Sequence, residues 1–168
     1  MITYEQLQML RATGHVQRCH TTPHHGSYSL AEHCWHVMHL IMSLHPNPSL
    51  ALLKAAAYHD SPEMITGDIP APAKADWPNL NQAVKEAEAS VLDLIGIPEL
   101  FHDLGVEDFL WLQLLDRLEL YLWCLDQISL GNAHAEDMAE RIRKGLEAQP
   151  VIPDQIKKFM LHDLQFVV

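Results

Sequence analysis

The stretch EDFLWLQLLDRLELYLWCLDQISL, residues 107–130, decides the fold class. Leu110, Leu114, Leu118, Tyr121 and Leu125 recur at steps of three and four, the spacing of one helix face, and Gly131 stops the run. Asp116 stands inside this most apolar segment of the chain. An unpaired buried carboxylate is expensive, so Asp116 must face solvent or a compensating partner, and a metal ion is one such partner. Trp111, Leu118 and Trp123 fall at core spacing and are expected in the core or at a subunit contact.

Outward from this helix, the same signals continue and strand signals are poor. Helices are expected at about Ala135–Ala148 and Pro153–Leu161 on its C-terminal side. On the N-terminal side, Asn79–Ile95 is amphipathic, with Leu80, Val84, Ala87, Val91 and Ile95 on one side. Ser29-Leu30-Ala31-Glu32 forms a capping box that opens a helix running to about Leu44, and Pro46 and Pro48 end it. The next helix runs from about Ser49 to Asp60, with Leu50, Leu53, Ala56 and Ala57 as its apolar face. Thr3–Arg11 reads as a short helix with Thr3 and Gln6 as its expected capping box, and His15–Tyr28 as a loop. Ser61-Pro62-Glu63 reads as a fresh start, with Ser61 as cap, and Gly67 stops that turn. Asp68–Pro78 holds three prolines and is expected as an ordered loop. The expectation is an all-α bundle, with residues 1–168 as one domain.

The formal net charge of −11 argues against a binder of polymeric nucleic acid or of anionic membranes, since both need a basic face. The opening residues lack the basic start and apolar run of a signal peptide, and no stretch reaches the length of a membrane span. Cys19, Cys34 and Cys124 are scattered, which fits a reduced, cytoplasmic setting. The apolar stripe exceeds what one small domain needs, so a homo-oligomer, dimer or larger, is expected.

Twelve histidines in 168 residues are an excess that asks for chemistry. His33 lies early in one helix, His59 and Asp60 end the next, and Asp116 lies mid-helix. Two imidazoles and two carboxylates suit a borderline divalent ion such as Mn, Fe, Co, Ni or Zn. Each residue alone has a plain alternative. A lone helix histidine is more often packed than ligating, and Asp116 could simply pair with Arg117. His36, three residues after His33, is expected to pack, and His24 and His25 to be exposed loop residues.

The longer text narrows this. His59-Asp60-Ser61-Pro62-Glu63-Met64-Ile65-Thr66-Gly67-Asp68-Ile69-Pro70-Ala71-Pro72-Ala73-Lys74 resembles the block around the paired ligands of the HD-domain phosphohydrolases, especially the small bacterial 5′-deoxynucleotidases and their phage relatives. Ala31-Glu32-His33 and the run from Asp116 to Gly131-Asn132 resemble two further segments, and Arg18 stands where those enzymes keep an arginine. The resemblance spans about Arg18 to Asn132. It implies that His33, His59, Asp60 and Asp116 bind one divalent transition metal ion. It implies proton transfer or water orientation for Glu63, and contact with the sugar or the attacking water for Asp68. Arg18 and Lys74 would neutralise phosphate oxygens.

Cys19 departs from the bacterial enzymes, which carry tryptophan after the arginine, and leaves the selection of deoxysugars open unless Tyr28 or Trp77 fills the gap. The implied activity is hydrolysis of the 5′ phosphate ester of a deoxynucleotide, most simply a monophosphate. The alternatives are a triphosphohydrolase acting on deoxynucleoside triphosphates, with Lys85 as an extra cation and a second, Mg-like ion, and a nucleotide-binding domain without turnover.

Overall fold

The structure is a computed structural model that describes residues 2–160. It is all-helical; among the described residues the nearest thing to a sheet is one isolated antiparallel bridge, Gln17 to Ser29. The helices are α1 (Tyr4–Thr13), α2 (Leu30–Leu44), α3 (Leu50–Tyr58), α4 (Glu63–Thr66), α5 (Ala71–Asp76), α6 (Pro78–Leu94), α7 (Val106–Ser129), α8 (Glu136–Glu147) and α9 (Asp154–Met160). The expected end of the last helix at Leu161 lies outside the described residues. No helix among them is long and apolar enough to cross a membrane.

The long helix α7 is the axis of the bundle. It packs against α2, α3, α8 and α9, and it buries Trp111, Leu114, Leu115, Leu118, Tyr121 and Cys124. Each fully buried side chain of this size stabilises the fold by about 2 kcal/mol relative to exposure. Val37 and Ile41 of α2 and Leu52, Ala55 and Ala56 of α3 meet that face. A second, smaller core joins Val91, Leu92 and Ile95 to Met9 and Leu10 of α1 and Met64 of α4. The short helix α4, just after α3, packs against α1 and α6 at this second core.

The start of α2 is set by the expected capping box: Ser29 Oγ accepts from the Glu32 N–H, and the Glu32 carboxylate accepts from the Ser29 N–H at 2.7 Å. Thr3 and Gln6 do the same for α1.

Four expectations need correction. The segment expected as a loop over Asp68–Pro78 contains α5, because Pro72 occupies the first turn of a helix, where a missing N–H costs nothing. Ser61 does not cap α4; Pro62 precedes the helix, no side chain caps it, and Ser61 is buried in the turn. The buried face of α3 is Leu52, Ala55 and Ala56, while Leu50 is exposed. That helix is apolar nearly all round, so its period leaves the inward face undetermined. In α6 the stripe is Val84, Val91, Leu92 and Ile95, and Leu80 and Ala87 face outward.

Candidate metal centre

Three helices deliver the four expected ligands to one place. His33 is one turn into α2 and fully buried. His59 and Asp60 follow the last turn of α3: His59 keeps helical φ and ψ and its N–H still bonds the Ala55 carbonyl, and the Ser61 N–H then bonds the Tyr58 carbonyl as the chain turns toward α4. Asp116 sits midway along α7. One ligand atom from each of the four lies within 4.8 Å of all the others, and among the described residues no second such cluster occurs. His33 Nε2 is 3.0 Å from Asp116 Oδ1 and 3.5 Å from Asp60 Oδ2; His59 Nε2 is 3.7 and 3.4 Å from the same atoms.

The donor set fits a divalent cation. Both Nε2 atoms are buried and form no hydrogen bond, although carboxylate oxygens stand close to each. The far side of each ring fixes the tautomer. His59 Nδ1 donates to the Ala56 carbonyl at 3.0 Å, and His33 Nδ1 donates to the Glu119 carboxylate at 2.5 Å. The proton is therefore on Nδ1 in both rings, and the Nε2 lone pairs face the carboxylates. The Asp116 side chain is 37 % exposed, so the cluster opens to solvent on that side. Asp116 pairs with the two imidazoles and not with its neighbour Arg117, which is exposed.

The charges reinforce one another. Burial would raise Asp60, but His59 and then Arg18 outweigh it and hold the carboxyl below its usual range. Asp116 is held well below that range, against burial, by His33 and His59. Burial depresses both imidazoles, and the carboxylates more than reverse it, so without a cation His33 and His59 draw protons. Clustered carboxylates that attract protons this strongly attract a metal ion for the same reason.

Glu63 opens α4 just past Asp60. It is 5 % exposed, and its Oε2 lacks a partner. Burial, followed by the charges of Asp60 and Asp68, pushes its carboxyl from 4.5 up to about 8. Gly67 ends α4 at φ 73°, ψ 163°, a conformation open essentially to glycine alone. The chain turns there, and Asp68 comes back to the site.

The loop before α2 supplies the rest. Arg18 N–H donates to the Tyr28 carbonyl at 2.8 Å, Gln127 and Asn132 at the end of α7 hold the backbone at His25 and Pro23, and the loop is thereby fixed at both ends. Arg18 is buried; its Nη1 lies 2.6 Å from Asp60 Oδ2, its guanidinium stands over the Tyr28 ring at 5.7 Å, and its Nε has no partner. Cys19 follows at φ 52°, and its N–H donates to Asp68 Oδ2 at 3.1 Å. Burial raises the Cys19 thiol to about 11, so it is not a nucleophile near neutrality. Lys74, half-buried on α5, is close enough for its charge to act on Glu63.

The expected site residues thus surround one cluster, with Lys74 at the edge. Tyr28 is buried with its hydroxyl committed to Glu119, and Trp77 is 61 % exposed beyond α5. His36 is exposed rather than packed, with Nδ1 3.3 Å from Glu119 Oε1. His24 is half-buried with its ring edge on Trp123, not free in the loop as expected, whereas His25 is exposed. Two acids went unread in the sequence. Glu119 is buried one turn beyond Asp116, and Glu88 is half-buried on α6 near Lys74, raised chiefly by burial. Each is an acid on the apolar side of its helix, the one signal that could have found it.

Known proteins resemble this chain in sequence and in fold. The profile of the family described as YfbR-like 5′-deoxynucleotidases matches residues 5–165. A 5′-deoxynucleotidase of Vibrio atlanticus is 33 % identical over 114 residues, covering 60 % of this chain and 58 % of the relative. One of Vibrio parahaemolyticus is 36 % identical over 99 residues, covering 51 % and 50 %. The chain therefore spans only part of the length of the curated relatives it matches. Two solved structures share the fold: a cyanophage S-2L HD phosphohydrolase (DatZ) bound to dA and one catalytic Zn2+ ion, with TM-score 0.70, 23 % identity and coverage of 95 % and 92 %, and a Listeria innocua HD-domain phosphohydrolase, with TM-score 0.71, 20 % identity and coverage of 98 % and 88 %. On the match over residues 5–165, the chain belongs to the YfbR-like 5′-deoxynucleotidase family.

Proposed function

We propose that this protein hydrolyses the 5′ phosphate ester of 2′-deoxynucleotides, releasing a deoxynucleoside and inorganic phosphate from the monophosphate. The observation that carries the reading is the convergence of two imidazole nitrogens that form no hydrogen bond and two carboxylates, beside the buried carboxyl of Glu63. The family match supports the substrate class.

In this reading His33, His59, Asp60 and Asp116 hold one divalent transition ion. A bound ion of this kind activates water near neutral pH and polarises the phosphoryl oxygen. The chain's own groups do the rest. Water oxygen bonds to phosphorus as the bond from phosphorus to the sugar 5′ oxygen breaks. Glu63 gives its proton to the departing oxygen and is recharged from the attacking water. Arg18, locked by Asp60 and laid over Tyr28, turns its remaining donors to the phosphate oxygens. Lys74 adds a second positive charge at the edge. Asp68, held by the Cys19 N–H, faces the sugar or the attacking water, and Cys19 shapes the sugar side.

Arg18 and Lys74 suit a monophosphate. A triphosphate asks for further cations, and Lys85 on α6 is exposed. The same reading takes residues 1–168 as one domain working in a reducing cytoplasm as a homo-oligomer. The exposed Trp35 and Met42 on α2 support the oligomer.

The test is a product assay on metal-reloaded protein with each nucleoside and deoxynucleoside mono- and triphosphate. Deoxynucleoside and single phosphate from monophosphates are expected. Intact triphosphate released from triphosphates would replace this reading with the triphosphohydrolase, and no turnover with any ion would leave a binding domain.

A further inference from the structure

We infer that Glu119 is a positioning residue of the metal centre: it holds the His33 ring in the tautomer and orientation that present Nε2 to the ion. This rests on the metal-centre reading above. Glu119 lies on α7 one turn past Asp116, and its carboxylate is buried at 4 % exposure. Oε2 accepts from His33 Nδ1 at 2.5 Å and also from the Tyr28 hydroxyl. The Tyr28 ring is itself stacked on Trp123, with centroids 4.6 Å apart, so the hydroxyl that anchors Glu119 is fixed in turn. Oε1 stands 3.3 Å from His36 Nδ1 at the solvent side.

Glu119 cannot be a fifth ligand of the same ion. It sits at the Nδ1 edge of His33, while Nε2, across the ring, faces Asp60 and Asp116. An ionised carboxylate only accepts, so the Nδ1 proton is retained and the Nε2 lone pair stays free. A carboxylate behind a ligating imidazole also raises its basicity, and removing such a partner commonly weakens metal binding about 10- to 100-fold. The two ligating rings are secured differently. His59 is fixed by a backbone carbonyl that no substitution removes, and His33 by a side chain that can be replaced.

The experiment measures cobalt(II) affinity by competition with a chromophoric chelator, together with the visible absorption of the bound cobalt, in the unaltered protein, Glu119→Ala and Glu119→Gln. Glu119→Ala is expected to bind about 10- to 100-fold more weakly and to change the cobalt spectrum. Glu119→Gln keeps an acceptor for Nδ1 and is expected to recover part of the loss. Unaltered affinity and spectrum in Glu119→Ala would overturn the inference while leaving the metal centre standing. No cobalt bound by the unaltered protein would overturn the metal centre itself. Should Glu119→Ala fail to fold, imidazole nitrogen NMR of the unaltered zinc form decides: a protonated, exchange-protected His33 Nδ1 is expected, and an unprotonated Nδ1 overturns the inference.

Discussion

Glu63→Gln isolates the proton-transfer step. The side chain is enclosed, one carboxyl oxygen has no partner, and burial, followed by the charges of Asp60 and Asp68, pushes its carboxyl up to about 8. A bound divalent cation pulls the value down, so the alkaline limb of the loaded protein should fall at or below about pH 8. Glutamine keeps the size and cannot pass on a proton. The kcat for phosphate release should drop by about 10²–10⁴, or about 3–5 kcal/mol in the barrier, with little change in metal content. The assay is phosphate release at saturating deoxynucleoside monophosphate across the neutral and alkaline range. The unaltered protein should lose kcat as pH rises through its limb, and the variant should lack that limb. Stability moves in a matching direction. Because the folded value is raised, the contribution of Glu63 is fully present below 4.5 and lost as pH rises through about 8. Glutamine removes that loss, so the variant should melt no lower than the unaltered protein on the alkaline side. A variant that keeps most of its kcat, or keeps the same alkaline limb, refutes the role.

His59→Ala should lose bound metal and turnover together while keeping its helical circular dichroism, since α3 is anchored by Leu52, Ala55 and Ala56; full activity in that variant removes His59 from the ligand set. Metal affinity should fall on acidification, because the carboxylates draw protons onto His33 and His59 and an incoming ion must displace them. Chelator competition should show about a tenfold loss per pH unit for each proton displaced, and a flat profile contradicts the cluster. Gly67→Ala meets no atom within 4 Å, yet its φ of 73° with ψ 163° should cost about 1–3 kcal/mol in a urea melt, and an unchanged melt refutes the backbone argument.

The helices were legible where sequence carries its own markers. The capping boxes at Thr3 and Ser29 start α1 and α2 as read, and the apolar run from Leu110 to Leu125 is α7. The sequence was less informative where one signal serves two structures. Proline suits both a loop and a first helical turn, and α5 hid behind that ambiguity. In α3 an almost wholly apolar helix has no polar face to set its rotation, so Leu50 went outward unread. The cluster's four residues could be named because the block from His59 to Lys74 is long and specific. Glu119 escaped because its meaning depends on a contact 86 residues away with His33, and spacing along one helix does not carry that. The roll of Arg18 against Asp60 escaped for the same reason, across 42 residues.

The most direct test of the central claim is a metal titration read for content and turnover together. Protein stripped by chelation is reloaded stepwise with zinc, manganese or cobalt, and bound ion and phosphate release from a deoxynucleoside monophosphate are measured at each step. The account predicts that turnover rises from zero and saturates at one ion per chain. Full turnover in the stripped protein, or one bound ion with none, would contradict it.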